Sequence, residues 1–115
     1  MSNAELNQLF LNEKYIISRK ENRSYLHNAC RTGNENIIKY LMKHGVDINK
    51  EDIYGETPIF SACSNGSVKV VKYLVKHGAD IHIKNKNGVT VLFSACVRGG
   101  NENVVKLLVE HGADF

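Results

Sequence analysis

The sequence predicts an all-α fold, a solenoid of stacked antiparallel helix pairs. An Ala-Cys pair recurs every 33 residues, beginning at Ala29, Ala62 and Ala95. A His-Gly pair recurs at intervals of 33 and then 34 residues, beginning at His44, His77 and His111. A fixed period between about 20 and 50 residues is typical of repeat proteins, in which each unit buries its apolar face against the next.

The middle copy, residues 51–83, shows how each unit divides into two helices. Thr57 is placed to cap the first helix, and Pro58 occupies the first helical position, where its missing N–H costs nothing. Ser67 can cap the second helix, which is apolar over more than one side and therefore suits packing between two neighbours. Gly78 can end that helix in a left-handed conformation.

This middle copy resembles the ankyrin repeat family. The matching motifs are Gly55-x-Thr57-Pro58-Ile59, Ala62-Cys63, Val70-Val71 and Gly78-Ala79-Asp80. The resemblance implies an ankyrin-type α-solenoid with three repeats at residues 19–50, 51–83 and 84–115, in which β-hairpin-like loops join the stacked antiparallel helix pairs. It also implies a protein–protein interaction module, with a concave recognition surface made by the hairpin tips and the first helices.

The outer copies depart from the pattern at a few positions. In the first copy Asn22 replaces the turn glycine, and Asn is the non-glycine residue best suited to positive φ. Ser24 replaces the capping threonine of that copy. In the third copy Val91 replaces the proline. A Gly-Gly pair at Gly99 marks a one-residue insertion, which we expect between the two helices, where changes of loop length are tolerated.

The two ends of the chain lie outside this regular pattern. Residues 1–18 are predicted to form an N-terminal capping helix or a degenerate repeat, with apolar spacings of three and four at Leu6, Leu9, Phe10, Glu13 and Ile17. Residues 1–4 include Ser-Asn-Ala, a common cloning remnant. No polar capping unit follows the third repeat, so we expect a fragment of a longer array and weak self-association through its C-terminal helix.

The three cysteines occupy one position of the repeat, at Cys30, Cys63 and Cys96. Metal-binding thiolates usually come as closely spaced pairs, so a 33-residue spacing does not suggest a metal site. An odd number of cysteines at a small-residue position predicts three buried, unpaired thiols. Reduced thiols in turn indicate an intracellular protein, cytoplasmic or nuclear.

Composition and motifs argue against several other classes of protein. No apolar run approaches the roughly 18 residues that span a bilayer, so no membrane contact is expected. The formal net charge of +3 is small and spread along helical faces. Each His and Cys is explained by its place in the repeat, so we expect no catalytic constellation, no enzyme activity, no metal and no cofactor.

The resemblance also implies which residues contact the partner, another protein whose identity the sequence does not reveal. They are the variable positions of the hairpins and the first helices: Lys20, Glu21, Arg23, Arg31, Thr32, Ile53, Tyr54, Glu56, Ser64, Asn65, Lys86, Asn87, Val89, Val97 and Arg98. Ile53 and Tyr54 are the strongest candidates, because a hairpin tip has no core for them to fill and because exposed aromatics are typical of interface centres.

Two other functions remain open from the sequence. The basic cluster of the first repeat could bind nucleic acid or an acidic surface, and its members are Arg19, Lys20, Arg23 and Arg31. Nucleic acid is the less expected partner, because the overall positive charge is weak. The chain could also be a structural spacer without a specific ligand.

Overall fold

The computed structural model describes Ser2, residues 16–18 and residues 21–115. Most of the capping helix predicted over residues 1–18 therefore lies outside the described residues. Residues 16–18 form a strand, so the helical prediction was wrong at Ile17. This strand pairs antiparallel with the strand Arg23–Ser24, because the chain before the first helix makes one arm of the first hairpin.

The described part of the chain forms the predicted succession of helix pairs. Strands β1 and β2 are Ile16–Ser18 and Arg23–Ser24, and they precede helices α1, Tyr25–Thr32, and α2, Glu35–Lys43. The second pair is α3, Pro58–Asn65, and α4, Val68–Lys76. The third pair is α5, Val91–Ser94, extended by a π-helical segment at Ala95–Gly99, and α6, Glu102–Glu110.

Side chains begin most of these helices as the sequence predicts. Ser24 accepts a hydrogen bond from the backbone of His27, and Ser67 accepts one from Val70. Thr57 differs: it occupies the capping position of α3, but its buried hydroxyl makes no cap hydrogen bond. The backbone carbonyl of Thr57 accepts from Phe60 instead, at 3.0 Å. The backbone therefore satisfies the N–H that a side-chain cap would otherwise satisfy.

The core is a continuous apolar layer between the inner helices α1, α3 and α5 and the outer helices α2, α4 and α6. Equivalent leucines of the outer helices are buried in every repeat, at Leu41, Leu74 and Leu108. The inner helices pack side by side, which brings the three hairpins into a row at one edge of the stack. At the first hairpin Asn22 has a φ of 54°, which confirms the conformation expected of a glycine substitute.

The extra residue of the third repeat lies within the inner helix, so the prediction that it falls between the two helices was wrong. The N–H of Gly100 donates to the carbonyl of Ala95 at 2.9 Å, which closes the wider turn of a π-helix. Gly99 is required here, because a Cβ at this position would collide with the carbonyl oxygen of Cys63. The π-helical turn therefore lies directly against the end of the inner helix of the second repeat.

The cysteines do not share one environment, and the prediction of three buried thiols was wrong for Cys96. Cys30 and Cys63 are fully buried, whereas Cys96 is exposed, and all three are free thiols. The difference follows from stacking: the second and third repeats cover the first two thiols, and no described element covers the third. Phe60 and Phe93 differ in the same way, at 0% and 47% exposure.

Candidate functional site

The tip of the second hairpin holds two exposed apolar side chains on a fixed backbone. Ile53 donates its N–H to the carbonyl of Glu21 at 2.8 Å, and the carbonyl of Tyr54 accepts from the N–H of Lys86 at 2.9 Å. The second tip is therefore hydrogen-bonded to the tips on both sides. The side chains of Ile53 and Tyr54 nevertheless remain 41% and 48% exposed. They project from a rigid frame, so holding them in place for a contact costs little conformational entropy.

The turns of the second and third tips are built by matching polar side chains. One carboxylate oxygen of Asp52 accepts from the N–H groups of Tyr54 and Glu56, at 2.9 and 3.0 Å. The amide oxygen of Asn85, 33 residues later, accepts from Asn87 and Val89 at 2.9 Å each. These bonds satisfy buried backbone donors and set the direction of the side chains that follow each turn.

Glu56 lines the same pocket as Tyr54 and is the centre of a partly buried ion-pair network. Arg98 donates from both terminal nitrogens to the two carboxylate oxygens at 2.8 Å, and Asn85 donates to one of them at 2.9 Å. Burial alone would raise the pKa of Glu56, but these hydrogen bonds and the charges of Arg98 and Arg23 outweigh it and lower the pKa. Glu56 is therefore a charged anchor that holds Arg98 in place.

Arg23 enters the same region from the first hairpin. One of its terminal nitrogens lies 3.4 Å from the second carboxylate oxygen of Asp52, Oδ2, and the other donates to Ser61 Oγ at 3.1 Å. Arg23 thus connects the first hairpin to the turn and the inner helix of the second repeat. Two guanidinium groups and two carboxylates consequently meet within one small volume.

A pocket of about 290 Å³ opens between these groups and the ring of Tyr54. Its lining residues come from all three repeats: Arg23, Tyr54, Glu56, Asn85, Asn87 and Arg98. Most of its walls are charged or amide side chains, and the tyrosine supplies the aromatic wall. The pocket can therefore accept a polar group of a ligand while an adjacent apolar group lies on the ring.

His27 supports the pocket from below. Its Nδ1 accepts from the N–H of Ser24 at 3.1 Å, so the ring proton is on Nε2, which donates to the carbonyl of Glu56 at 2.8 Å. Burial lowers the pKa of this imidazole and keeps it neutral, and the nearby charge of Arg23 acts in the same direction. His27 thereby fixes the backbone of Glu56 to the first repeat.

The predicted contact residues divide into three groups in the structure. Five of them line the pocket: Arg23, Tyr54, Glu56, Asn87 and Arg98. Others lie beside it on the tips or along the inner helices: Glu21, Arg31, Thr32, Ile53, Ser64, Asn65, Lys86, Val89 and Val97. Lys20 lies outside the described residues, as does Arg19 of the basic cluster. Glu56 is only 8% exposed, and its carboxylate is hydrogen-bonded to Arg98 and Asn85.

Sequence reasoning missed three polar residues that build this site. Asp52 and Asn85 hold the turns, and Ser61 accepts from Arg23. A signal for the first two was present: each lies three residues before the glycine of its tip, at equivalent positions of successive repeats. Ser61 carried no such signal, because its partner is 38 residues away in sequence.

The chemistry available at this site is recognition. Across the residues that the structure describes, no group of three His, Cys, Asp or Glu side chains is arranged to hold a metal ion. In the same part of the chain, no helix is both long and apolar enough to cross a membrane. The fold and the site together define a class of protein: a repeat scaffold that presents a rigid, polar and aromatic surface.

Comparisons with known proteins place the chain within that class. The model of the family described as "Ankyrin repeats (3 copies)" matches residues 1–85 and 50–115. The chain belongs to the ankyrin repeat family, whose members are generally protein–protein interaction modules.

Two relatives illustrate the similarity. An ankyrin repeat protein of fowlpox virus (strain NVSL), FPV223, is 41% identical over 51 residues, which are 44% of this chain and 36% of that protein. The crystal structure of the human ASB11 ankyrin repeat domain superposes with a TM-score of 0.76 at 35% identity, covering 80% of this chain and 41% of that one. The chain thus spans about two fifths of the length of these relatives or less.

Proposed function

We propose that this chain binds a protein partner across its row of hairpin tips and the exposed sides of its inner helices. The observation that carries the proposal is Tyr54, a half-exposed aromatic on a tip that is hydrogen-bonded to both neighbours. An aromatic held rigidly beside an arginine is the usual composition of an interface hot spot. The partner would contact both the tips and the inner helices, which lie on the same side.

A nucleic-acid function has less support from the geometry. Of its four proposed residues, the structure describes Arg23 and Arg31, and only Arg23 lines the pocket. These two residues therefore do not form a common basic surface at the site. Protein recognition remains the function that these contacts support best.

The experiment uses a phage-displayed library of random 12-residue peptides, selected on the whole chain. Each selected peptide is then synthesised and titrated against the wild type, Tyr54→Ala and Phe115→Ala. Phe115 is the matched control, because it is an exposed aromatic that does not line the Tyr54 pocket. We expect Tyr54→Ala to weaken binding about ten-fold or more and Phe115→Ala to leave it unchanged. Peptides that bind equally well to all three proteins would refute the proposal.

A further inference from the structure

We infer that the Tyr54 pocket recognises an acidic side chain of the partner, presented next to a large apolar residue. This inference rests on the proposed function and specifies the chemistry of the partner at the same surface. It follows from three features of the described residues: the hydrogen-bonding groups that the pocket leaves unused, the charge of the surface around it, and the place of the tyrosine ring.

The hydrogen-bonding capacity of the pocket is one-sided. Its acceptors are largely occupied: Glu56 receives three hydrogen bonds, and the amide oxygen of Asn85 receives two. A guanidinium group carries five N–H donors. Arg98 uses two of them on Glu56, and Arg23 directs its two terminal nitrogens to Asp52 and Ser61. N–H donors of the two guanidinium groups therefore remain unused at the pocket, and a ligand group that accepts hydrogen bonds can bind them.

The surroundings of the pocket select a negatively charged acceptor over a neutral one. The two guanidinium groups in the pocket are balanced by Glu56 and Asp52. The three inner helices add Arg31 and contain no Asp or Glu, and the third tip, residues 84–90, contains two lysines and no acidic residue. Within the described residues, neither Arg31 nor Lys86 forms an ion pair. The part of the surface made by the inner helices and the third tip is therefore positive and complements a carboxylate, whereas the first tip carries Glu21.

The position of Tyr54 indicates what lies next to the acidic residue in the ligand. Its ring forms one wall of the pocket while its other surface remains in water. A carboxylate between the arginines would bring the neighbouring residue of the peptide against this ring and against Ile53. The expected ligand is thus a short peptide segment with Asp or Glu beside a large apolar residue.

The selected peptides of the previous experiment also test this inference. We expect them to share an Asp or Glu at one fixed position, and we expect its replacement by Asn or Gln to weaken binding about ten-fold, as loss of a charge-assisted hydrogen bond does. Lys86→Gln should weaken binding a few-fold, and the matched control Lys72→Gln, on an outer helix, should not. Arg98→Lys keeps the charge near Glu56 and loses the paired donors, so it should weaken binding about ten-fold.

The outcomes separate this inference from the proposal that it extends. Peptides without a shared acidic residue that still require Tyr54 would overturn the acidic ligand and leave the protein-binding surface in place. Peptides indifferent to Tyr54→Ala would overturn both. If Arg98→Lys unfolds the chain, the peptide's own Asp→Asn or Glu→Gln exchange and Lys86→Gln decide the result. A single-stranded DNA oligonucleotide that binds more tightly than any peptide, with a steep loss on adding salt, would also overturn the inference.

Discussion

Phe60 and Phe93 provide an internal test of the stacking order, because they are the same residue at the same position of successive repeats. Phe60 is fully buried beneath the third repeat, whereas Phe93 is 47% exposed. Phe60→Ala removes a complete core side chain and leaves a cavity, so we expect it to lower the free energy of unfolding by about 3–5 kcal/mol. Phe93→Ala loses only about half of the transfer free energy of a buried side chain and leaves no enclosed cavity. We therefore expect it to lower the free energy of unfolding by about 1 kcal/mol.

The assay is urea unfolding followed by far-UV circular dichroism, since the sequence has no tryptophan to report on the core. The free energies are compared only if the dependence on urea concentration is the same in both variants. A loss of several kcal/mol is a large part of the total stability expected for a domain of this size, about 5–15 kcal/mol. Equal losses for the two variants would refute the reasoning, because Phe93 would then be as well covered as Phe60.

Three further predictions concern acid, thiol reactivity and association. The free energy of unfolding should fall between pH 7 and pH 5, because the pKa of His27 is lowered in the folded chain from its ordinary value of 6.5 in the unfolded chain. In the variant His27→Phe the free energy of unfolding should depend less on pH over this range. A thiol reagent should label Cys96 rapidly and label Cys30 and Cys63 slowly, since burial raises the pKa of both to about 12. The chain should associate weakly at millimolar concentration, and Phe93→Ser should reduce that association in sedimentation experiments.

Each of these predictions has an outcome that would contradict it. An unchanged loss of stability in the variant His27→Phe would assign the acid sensitivity to another group. Rapid labelling of all three thiols in the native protein would mean that the repeats do not cover the first two. A strictly monomeric wild type, or association that is unaffected by Phe93→Ser, would show that the exposed apolar face of the third repeat does not mediate contacts between copies.

The sequence alone was sufficient to predict the fold, because the capping and turn residues that define each repeat are close in sequence and recur in all three copies. Ser24 and Ser67 begin helices at the predicted places, and Asn22 adopts the positive φ inferred from its place in the turn. Exposure of Ile53 and Tyr54 could also be predicted, since a hairpin tip offers no core. Whether these two residues contact a partner remains a prediction.

Only the tertiary structure decided how the site is assembled. The pairing of Arg98 with Glu56 joins residues 42 positions apart. Arg98 lies in a π-helical turn, where the sequence had predicted an insertion between the helices. Glu56, expected to contact a partner, is instead buried as the anchor of that arginine. Exposure of Cys96 likewise depends on what lies over the third repeat. A repeat pattern specifies what each unit contains, but burial and ion pairing are properties of two units in contact, and those contacts are decided by packing across the stack.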